Sequence, residues 1–285
     1  MHNELTPAKR VIAINDLSGF GKCSLTVALP ILSALNAEAV AMPTAVLSTH
    51  TGGITGFSLL GMTEEMAKFS AHWKSLGLHF DSVYSGWLDT AEQAQIVREV
   101  FDWVGPQALR LVDPVLGDNG KLYGVLTEEH VRSMCSLCAM ANLITPNMTE
   151  ACLVLGRPFQ GDRVTPASAR EMLEALCALG PQMAVLTGIC TADNTIGAAT
   201  LDQNGVFSLY ETERIPGNWH GAGDVFTSAV LGALLCGNAL ADCVRIAADF
   251  THDALVRSYA MGADQRFGLD FERGLGKLRR DAGLD

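Results

Sequence analysis

The stretch GNWHGAGDVFTSAVLGALL (217–235) places two glycines and a carboxylate directly before a long apolar run. The apolar run predicts a buried helix that begins near Gly223 or Asp224, so its free backbone N–H groups and positive dipole end face the preceding turn. Such a turn is suited to the charge of a phosphoryl group in transfer, and Asp224 could accept the proton of an attacking hydroxyl. Gly and Asp that merely cap the helix explain these four residues equally well.

Polar residues also follow five other apolar runs, each at the point where a strand is expected to end. They are Asn15 and Asp16, SGW (85–87), DPVLGD (113–118), TPN (145–147), and Thr187 with Gly188. Each residue type is an ordinary turn former. Ligands of parallel sheets bind outside the carboxyl ends of the strands, so five polar strand ends together indicate a binding site.

Short apolar runs alternate with amphipathic stretches of helical length, which predicts a mostly parallel sheet covered by helices on both faces. The predicted strands are 10–16, 37–44, 81–86, 110–115, 142–147 and 183–188. The predicted helices are 23–35, 63–77 with Thr63 as its cap, 90–103, 127–141, a segment ending at Gly156, and 168–180. Residues 195–215 predict a hairpin that turns at DQNGV, and the remainder is expected to be helical. Without repeats or linkers, residues 1–285 are expected to form one domain.

Composition limits the class of partner. The chain has 285 residues, of which 48% are hydrophobic and 18% charged, so it can bury a sizeable core. A formal net charge of −11 argues against nucleic acid and anionic membranes as partners. It leaves room for an anionic nucleotide, which a local nest of backbone N–H groups can hold.

The first residues, the apolar segments and the cysteines of the sequence together predict a cytoplasmic protein. The first residues, MHNELTPAKRVIAIND, lack the pattern of a secretory signal, and polar residues interrupt the most apolar window. The eight cysteines form no disulfide or zinc framework, and the close pair Cys135 and Cys138 fits buried free thiols. We therefore expect a reduced, soluble, cytoplasmic protein.

The motifs STHTGG, DPVLGD, TPNMTE and GAGD, in this order, together resemble the ribokinase-like superfamily. Within it the chain is similar to the vitamin B6 kinases, which phosphorylate pyridoxal, pyridoxamine and pyridoxine. The resemblance runs from Arg10 to the last helix. It implies a three-layer α/β sandwich, the use of ATP with Mg²⁺ and with a monovalent cation, K⁺ or Na⁺, a small-molecule vitamer as partner, and a homodimer.

The resemblance also implies roles for individual residues. Asp224 takes the position of the base that removes the proton from the substrate's hydroxymethyl group, with Gly221, Ala222 and Gly223 forming the anion hole. The positions that match the family's Mg²⁺–ATP site are Asp118, Asn147 and Glu150. The positions associated with ATP and a monovalent cation are Asp113, Thr145 and Thr187, with Gly188 also on the ATP side. As alternatives, Asn147 and Glu150 fit a capping box, and Asp113-Pro114 fits a type I turn.

Four residues match positions around the substrate ring. Thr51 corresponds to a position that contacts ring substituents, and Asp16 falls where pyridoxal kinases often have a serine facing the ring nitrogen. An acid there favours a pyridinium or an exocyclic amine. In LSGFG (17–21), which replaces a more usual glycine-containing loop, Phe20 can stack on a flat ring, as can Trp87. Both aromatic residues fit the core equally well, and Asp16 also fits a strand-end cap.

Three alternative functions are to be weighed against a B6 kinase. The nearest is a kinase for hydroxymethylpyrimidine or its phosphate, whose exocyclic amine suits Asp16. The second, a non-catalytic sensor of a vitamer or nucleotide, is disfavoured because a binding protein needs no base, anion hole and Mg²⁺ ligands, and the resemblance implies all of them. The third is an enzyme of unrelated chemistry on the same fold. The sequence has no Walker motif, and His220, although it precedes the glycines, receives no role.

Overall fold

The computed structural model describes residues 7–284. Residues 1–6, on which part of the expectation about a secretory signal rests, lie outside the described residues. Within 7–284, nine strands form one sheet and two short strands form a small hairpin. The strands are β1 (Lys9–Phe20), β2 (Ala37–Thr49), β3 (Leu59–Gly61), β4 (Ser82–Ser85), β5 (Leu109–Val112), β6 (Gly117–Asp118), β7 (Lys121–Leu122), β8 (Leu143–Ile144), β9 (Met183–Ile189), β10 (Thr195–Leu201) and β11 (Phe207–Glu213).

The helices of the described chain alternate with the strands through most of the sequence. They are α1 (Ser24–Ala34), α2 (Thr63–Ser75), α3 (Ala91–Val104), α4 (Glu128–Cys138), α5 (Met148–Leu155), α6 (Pro166–Cys177), α7 (Ala222–Leu235), α8 (Leu240–Ala260) and α9 (Leu275–Asp281). Two short 3₁₀ helices, Gln265–Phe267 and Glu272–Gly274, connect α8 to α9. Every helix predicted from the sequence is present, with ends displaced by a few residues.

The large sheet has the strand order β11-β10-β9-β8-β5-β4-β1-β2-β3. Its six inner strands, from β9 to β2, are parallel. At one edge β3 pairs antiparallel with β2, and at the other β10 pairs antiparallel with both β9 and β11, so β11 again runs in the direction of the inner strands. This arrangement confirms the predicted mostly parallel sheet. It brings the carboxyl ends of the parallel strands to one edge of the molecule, where ligands of such sheets bind.

Two buried clusters, one on each face of the sheet, form the core. Along β1, Val11 belongs to the cluster under α1, α7, α8 and α9, whereas the adjacent Ile12 belongs to the cluster under α2 to α6. Because both faces are covered, neighbouring strand residues are buried alike, and this explains the continuous apolar runs of the sequence. The expected three-layer α/β sandwich is confirmed.

The main differences from the sequence prediction lie at the site edge. The segment 17–21 was expected to be a loop, but β1 continues through Phe20 beside an extended β2, past a bulge between Asn15 and Leu17. A bulge bends a strand locally, so β1 leaves β4 at Ile14 and follows β2 alone. The prediction also missed β3 and the hairpin of β6 and β7, and Met62 rather than Thr63 is the N-cap of α2.

Candidate active site

The N-terminus of α7 forms the centre of the site. Gly221 is the N-cap residue with φ of 79°, and Asp224 is the third residue of the helix. A side chain on Gly221 would collide with the backbone carbonyl of Lys22, so both its conformation and its surroundings require glycine. Gly223 meets no such neighbour and is exposed. The first turn of α7, whose backbone N–H groups have no partner within the helix, is therefore accessible at Gly223.

Asp224 is half-buried in an environment that favours its neutral form. Burial raises the pKa of its carboxyl group to about 6, and the charge of Asp16 acts in the same direction. The backbone N–H of Ser24 and the side chain of Asn15 oppose this shift, the latter with a 3.4 Å contact from Nδ2 to Oδ1 of Asp224. A carboxylate with a pKa near 6 is ionised at neutral pH and is more basic than an ordinary aspartate.

Asp16 lies at the bulge of β1 and not at a strand end, which corrects the sequence expectation. Its side chain is 6% exposed and accepts hydrogen bonds from the hydroxyls of Ser18, at 2.7 Å, and of Ser24. Burial raises the pKa of Asp16, and the two hydroxyls oppose the shift. Asp16 is therefore a buried acid held by hydroxyl donors close to Asp224.

Asp113 follows the last residue of β5 and is also buried. Its pKa is raised by burial and by the charge of Asp224, while the hydroxyls of Thr227 and Thr145 act in the opposite direction. Thr227 comes from α7, one helical turn after Asp224, and its hydroxyl donates to Oγ1 of Thr145 at 3.3 Å. The end of β5, the end of β8 and the start of α7 therefore meet at this point.

Glu150 and Asn147 form the capping box that the sequence analysis gave as an alternative. Oδ1 of Asn147 accepts from the backbone N–H of Glu150, and Oε2 of Glu150 accepts from that of Asn147, each at 2.9 Å. Oε1 of Glu150 accepts from the backbone N–H of Leu116 at 3.1 Å, which ties α5 to the segment after β5. Burial and the charge of Asp113 raise the pKa of Glu150. Gly156 ends α5 in the left-handed conformation.

Asp118 is the last residue of β6. The two-residue turn to β7 follows it and consists of Asn119 and Gly120, both with positive φ. Its two carboxylate oxygens accept from the backbone N–H and the side-chain amide of Asn119, each at 2.8 Å. The backbone N–H of Gly120 donates to Oγ1 of Thr149 on α5. Asp118 is half-buried, so it can still bind a ligand from the solvent side.

The acids are arranged as neighbours and not as a closed metal cage. The charge of Asp16 raises the pKa of Asp224, and that of Asp224 raises the pKa of Asp113. The charge of Asp113 in turn raises the pKa of Glu150. Within residues 7–284, no three His, Cys, Asp or Glu side chains come close enough together to hold a metal ion by themselves. A cation at this site would need oxygen atoms from phosphate and water in addition.

Thr187 and Gly188 lie in β9, next to α5. The backbone N–H of Thr187 donates to the carbonyl of Pro146 at 2.9 Å, and Thr187 forms an isolated parallel bridge with Asn147. Gly188 has a φ of 69°, and a side chain there would meet nothing within 4 Å. Thr145, Asn147 and Thr187 therefore lie together at the carboxyl ends of neighbouring strands.

The other three of the four residues predicted to contact the substrate ring, Phe20, Trp87 and Thr51, are all at least partly exposed. Phe20 is 55% exposed, with its ring edge-on to that of Phe267 at 5.0 Å, so it is not a core residue. Trp87 is half-buried, and its backbone N–H donates to Oδ1 of Asn15 at 2.9 Å. Thr51 is half-buried in the loop that follows His50.

His220, to which the sequence analysis gave no role, lies against this loop. Its ring is 5.2 Å from that of His50, and a side chain on Gly52 would collide with it. Burial and the nearby His50 lower the pKa of His220, which favours the neutral imidazole. His50 itself contacts the carbonyl of Arg266 through Nε2 and accepts from Gly52 through Nδ1.

Three polar residues that contact the predicted acids were missed. Thr227 carries a sequence signal, because it follows Asp224 by three residues on one helix and therefore shares its face. Ser18 shares a strand face with Asp16 at a spacing of two, but the predicted loop at 17–21 hid this relation. Ser24 reaches both Asp16 and Asp224 through a backbone conformation that the sequence does not indicate.

Comparison with known proteins places this chain in a family. The sequence profile of the phosphomethylpyrimidine kinase family matches residues 29–268. A hydroxymethylpyrimidine/phosphomethylpyrimidine kinase from Mycobacterium leprae is 26% identical over 90% of this chain and 92% of its own.

No helix in the described part of the chain combines the length and the apolar character needed to cross a membrane.

Solved structures agree with the family match. A Bacteroides thetaiotaomicron protein, provisionally named a phosphomethylpyrimidine kinase and crystallised with pyridoxal, is 36% identical over 95% of this chain and 96% of its own, with a TM-score of 0.91. Pyridoxal kinase from Lactobacillus plantarum is 31% identical over 96% and 98% of the two chains, with a TM-score of 0.88. The chain therefore belongs to the phosphomethylpyrimidine kinase family and is an ATP-dependent kinase related to both pyridoxal and hydroxymethylpyrimidine kinases.

Proposed function

We propose that this kinase transfers the γ-phosphoryl group of ATP to the 5′-hydroxymethyl group of pyridoxal, pyridoxamine or pyridoxine, a reaction that salvages vitamin B6. The observation that carries the proposal is Asp224, an acid with a pKa of about 6 at the N-terminus of a helix. The pyridoxal in the structure of the Bacteroides thetaiotaomicron relative supports a B6 vitamer as the substrate.

In the proposed reaction, the hydroxymethyl oxygen attacks the γ-phosphorus and its proton passes to Asp224. The bond between the γ-phosphorus and the oxygen bridging it to the β-phosphorus breaks, and ADP leaves. Backbone N–H groups of Gly221, Ala222 and Gly223 face the transferring group and stabilise its charge. Such transfers depend on positioning and charge neutralisation more than on covalent chemistry with the protein.

ATP and its cations are proposed to lie between α7 and α5. Asn147, Thr187 and Gly188 line the nucleotide side. Asp118 and Glu150 are proposed to hold Mg²⁺, which neutralises phosphate charge when bound. These two carboxylates fit Mg²⁺, because this ion is commonly bound by one or two carboxylates and completes its coordination with phosphate and water. The buried carboxyl group of Asp113, with Thr145 and Thr187 nearby, is the proposed site of a monovalent cation, K⁺ or Na⁺.

The vitamer ring is proposed to lie on the opposite side of Asp224, bounded by Asp16, Thr51, Phe20 and Trp87. Phe20 suits this role because its ring is exposed and supported by Phe267. Asp16 would pair with the protonated ring nitrogen or with an amine. Its hydroxyl donors, Ser18 and Ser24, hold the carboxylate in one orientation.

A second candidate substrate is hydroxymethylpyrimidine or its phosphate. The buried carboxylate of Asp16 favours it, since an exocyclic amine pairs with an acid as readily as a pyridinium does. The family profile and the Mycobacterium leprae relative carry the name of this activity. The two candidates share the base and the ATP site, so they differ only in the ring that Asp16 meets.

The variant Asp224→Asn tests the proposed chemistry. We expect folding and ATP binding to remain near those of the wild type and turnover to fall by about 10²–10⁴-fold, the range for loss of a general base. Asp242→Asn is the matched control, because Asp242 also lies in the first turn of a helix, α8, but is exposed. Near-normal turnover of Asp224→Asn would remove Asp224 from the mechanism.

A further inference from the structure

Ser24 has an unusual backbone conformation beside the site. It is buried, and its φ is 51°, in the left-handed region that is unfavourable for residues other than glycine, asparagine and aspartate. Within residues 7–284, the other residues with positive φ that are not glycine are both asparagines, Asn36 and Asn119. An unfavourable conformation at a buried residue persists only where the surroundings hold it, and such positions are frequent at active sites.

The surroundings of Ser24 are the two acids. Its hydroxyl donates to Oδ1 of Asp16, and its backbone N–H faces the carboxylate of Asp224 and stabilises the charged form. The N-terminus of α7 packs directly on the backbone just before Ser24, because Gly221 leaves no room beside the carbonyl of Lys22. Ser24 is the first residue of α1, so its hydroxyl serves Asp16 and does not act as the N-cap of the helix.

We propose that Ser24 is a positioning residue that links Asp224 to Asp16, its backbone N–H orienting the first and its hydroxyl the second. The left-handed conformation aims both groups at these acids from a single residue. The inference rests on the proposed function, because it takes from it the assignment of Asp224 to the transfer step and of Asp16 to substrate binding. The contact of the backbone N–H with Asp224 should then affect kcat, and the contact of the hydroxyl with Asp16 should affect the KM for the vitamer.

Two substitutions separate these halves. Ser24→Gly keeps the backbone N–H and favours the left-handed conformation, but removes the hydroxyl. We expect kcat within about threefold of the wild type and a KM for the vitamer raised about tenfold, the scale for losing a hydrogen bond to a charged group. Ser24→Val also removes the hydroxyl, and its branched side chain disfavours positive φ. Displacement of the N–H from Asp224 should lower kcat by about 10–100-fold relative to Ser24→Gly.

Asn36 provides the matched control at the other end of α1. It also has a left-handed backbone, with φ of 61°, and its side chain also makes a hydrogen bond, which it accepts from Arg279 at 2.7 Å. Asn36→Gly and Asn36→Val therefore make the same chemical changes away from the acids. We expect both variants to keep kcat and KM within about twofold of the wild type. Equal kcat values for Ser24→Val and Ser24→Gly would overturn the proposal.

A measurement without substrate separates this inference from the proposed function. Hydrogen exchange of the Ser24 amide is expected to be at least about tenfold faster in Asp224→Ala than in the wild type, since the amide loses its acceptor. Asp224→Asn retains a carbonyl acceptor and should exchange at nearly the wild-type rate. Unchanged exchange in Asp224→Ala would overturn the positioning role even if Ser24→Val failed to fold. Absence of vitamer phosphorylation by the wild type would instead overturn the proposed function alone.

Discussion

Asn15→Asp tests the electrostatic environment of the proposed base with a nearly isosteric change. Asn15 is 1% exposed, and its Oδ1 accepts from the backbone N–H groups of Asp16 and Trp87, so an aspartate can keep both hydrogen bonds. The amide that contacts Oδ1 of Asp224 at 3.4 Å becomes a carboxylate oxygen. A donor that favours the charged form of Asp224 is thereby replaced by a like charge.

The size of the effect follows from the distance. Two unit charges 3.4 Å apart interact by about 5 kcal/mol at an effective dielectric constant of about 20. Because Asp224 is half-buried, water screens part of this energy, and we take about a third of it, ~1.5 kcal/mol. This corresponds to an upward shift of about one pKa unit. The apparent pKa of the base should therefore rise from about 6 to ~7.

The assay is the pH dependence of kcat/KM from about pH 5 to about pH 9, a range that covers the expected pKa of the base in both the wild type and the variant. With Asp224 as the proposed base, activity is expected to fall as pH falls through the pKa of Asp224, because the protonated acid cannot accept the substrate's proton. The ratio of variant to wild-type rate, in which the substrate's own ionisation cancels, should be about fivefold below unity at pH 6 and approach unity above pH 8. Asn204→Asp, at an exposed turn, is the control for the added charge. A ratio that does not change with pH would refute the reasoning.

Three further predictions concern the cations, the assembly and the substrate pocket. Asp118→Ala and Glu150→Ala should raise the Mg²⁺ concentration needed for half-maximal activity more than the vitamer KM; a titration in which only vitamer affinity collapses would contradict this. The protein should sediment as a homodimer at about micromolar concentration, since two-fold dimers are the commonest closed assembly, and a monomer there would contradict it. Asp16→Asn should weaken vitamer binding by about 1–3 kcal/mol, mainly through KM, whereas unchanged kinetics would reduce Asp16 to a structural residue. Asp16→Ser should keep pyridoxal as a substrate and disfavour an aminopyrimidine.

The layers and the parallel sheet could be predicted because local patterns determine them. Val11 and Ile12 face opposite helical layers, and continuous apolar runs of this kind are typical of strands that are buried on both faces. Asn147, Glu150 and Gly156 begin and end α5 with a capping box and a left-handed glycine, each a short-range sequence signal. These features need only neighbours along the chain.

Most of the elements that the sequence does not predict depend on contacts between distant segments of the chain. The extension of β1 through Phe20 exists because β2 pairs with it, and glycine and serine in 17–21 indicate a loop when taken alone. The turn at Asn119 and Gly120 does carry a recognisable hairpin signal, an Asn-Gly pair, although the strands on either side have only two residues each.

The interactions within the site are the least predictable part. The raised pKa of Asp224 arises from burial and from Asp16, which is 208 residues away in sequence. The left-handed backbone of Ser24 follows from packing of α7 against the turn before α1, and serine carries no local preference for it. Sequence patterns predict which acids form the site, whereas the orientation and basicity of these acids depend on the tertiary structure.

The most direct test is a comparison of kcat/KM for the purified enzyme with ATP and pyridoxal, pyridoxamine, pyridoxine or hydroxymethylpyrimidine, with the phosphorylated product identified by mass spectrometry. We predict Mg²⁺-dependent phosphorylation of at least one B6 vitamer, with a specificity constant at least about tenfold above that for hydroxymethylpyrimidine, the scale of one pocket contact. A higher specificity constant for hydroxymethylpyrimidine than for every vitamer would contradict the proposed function.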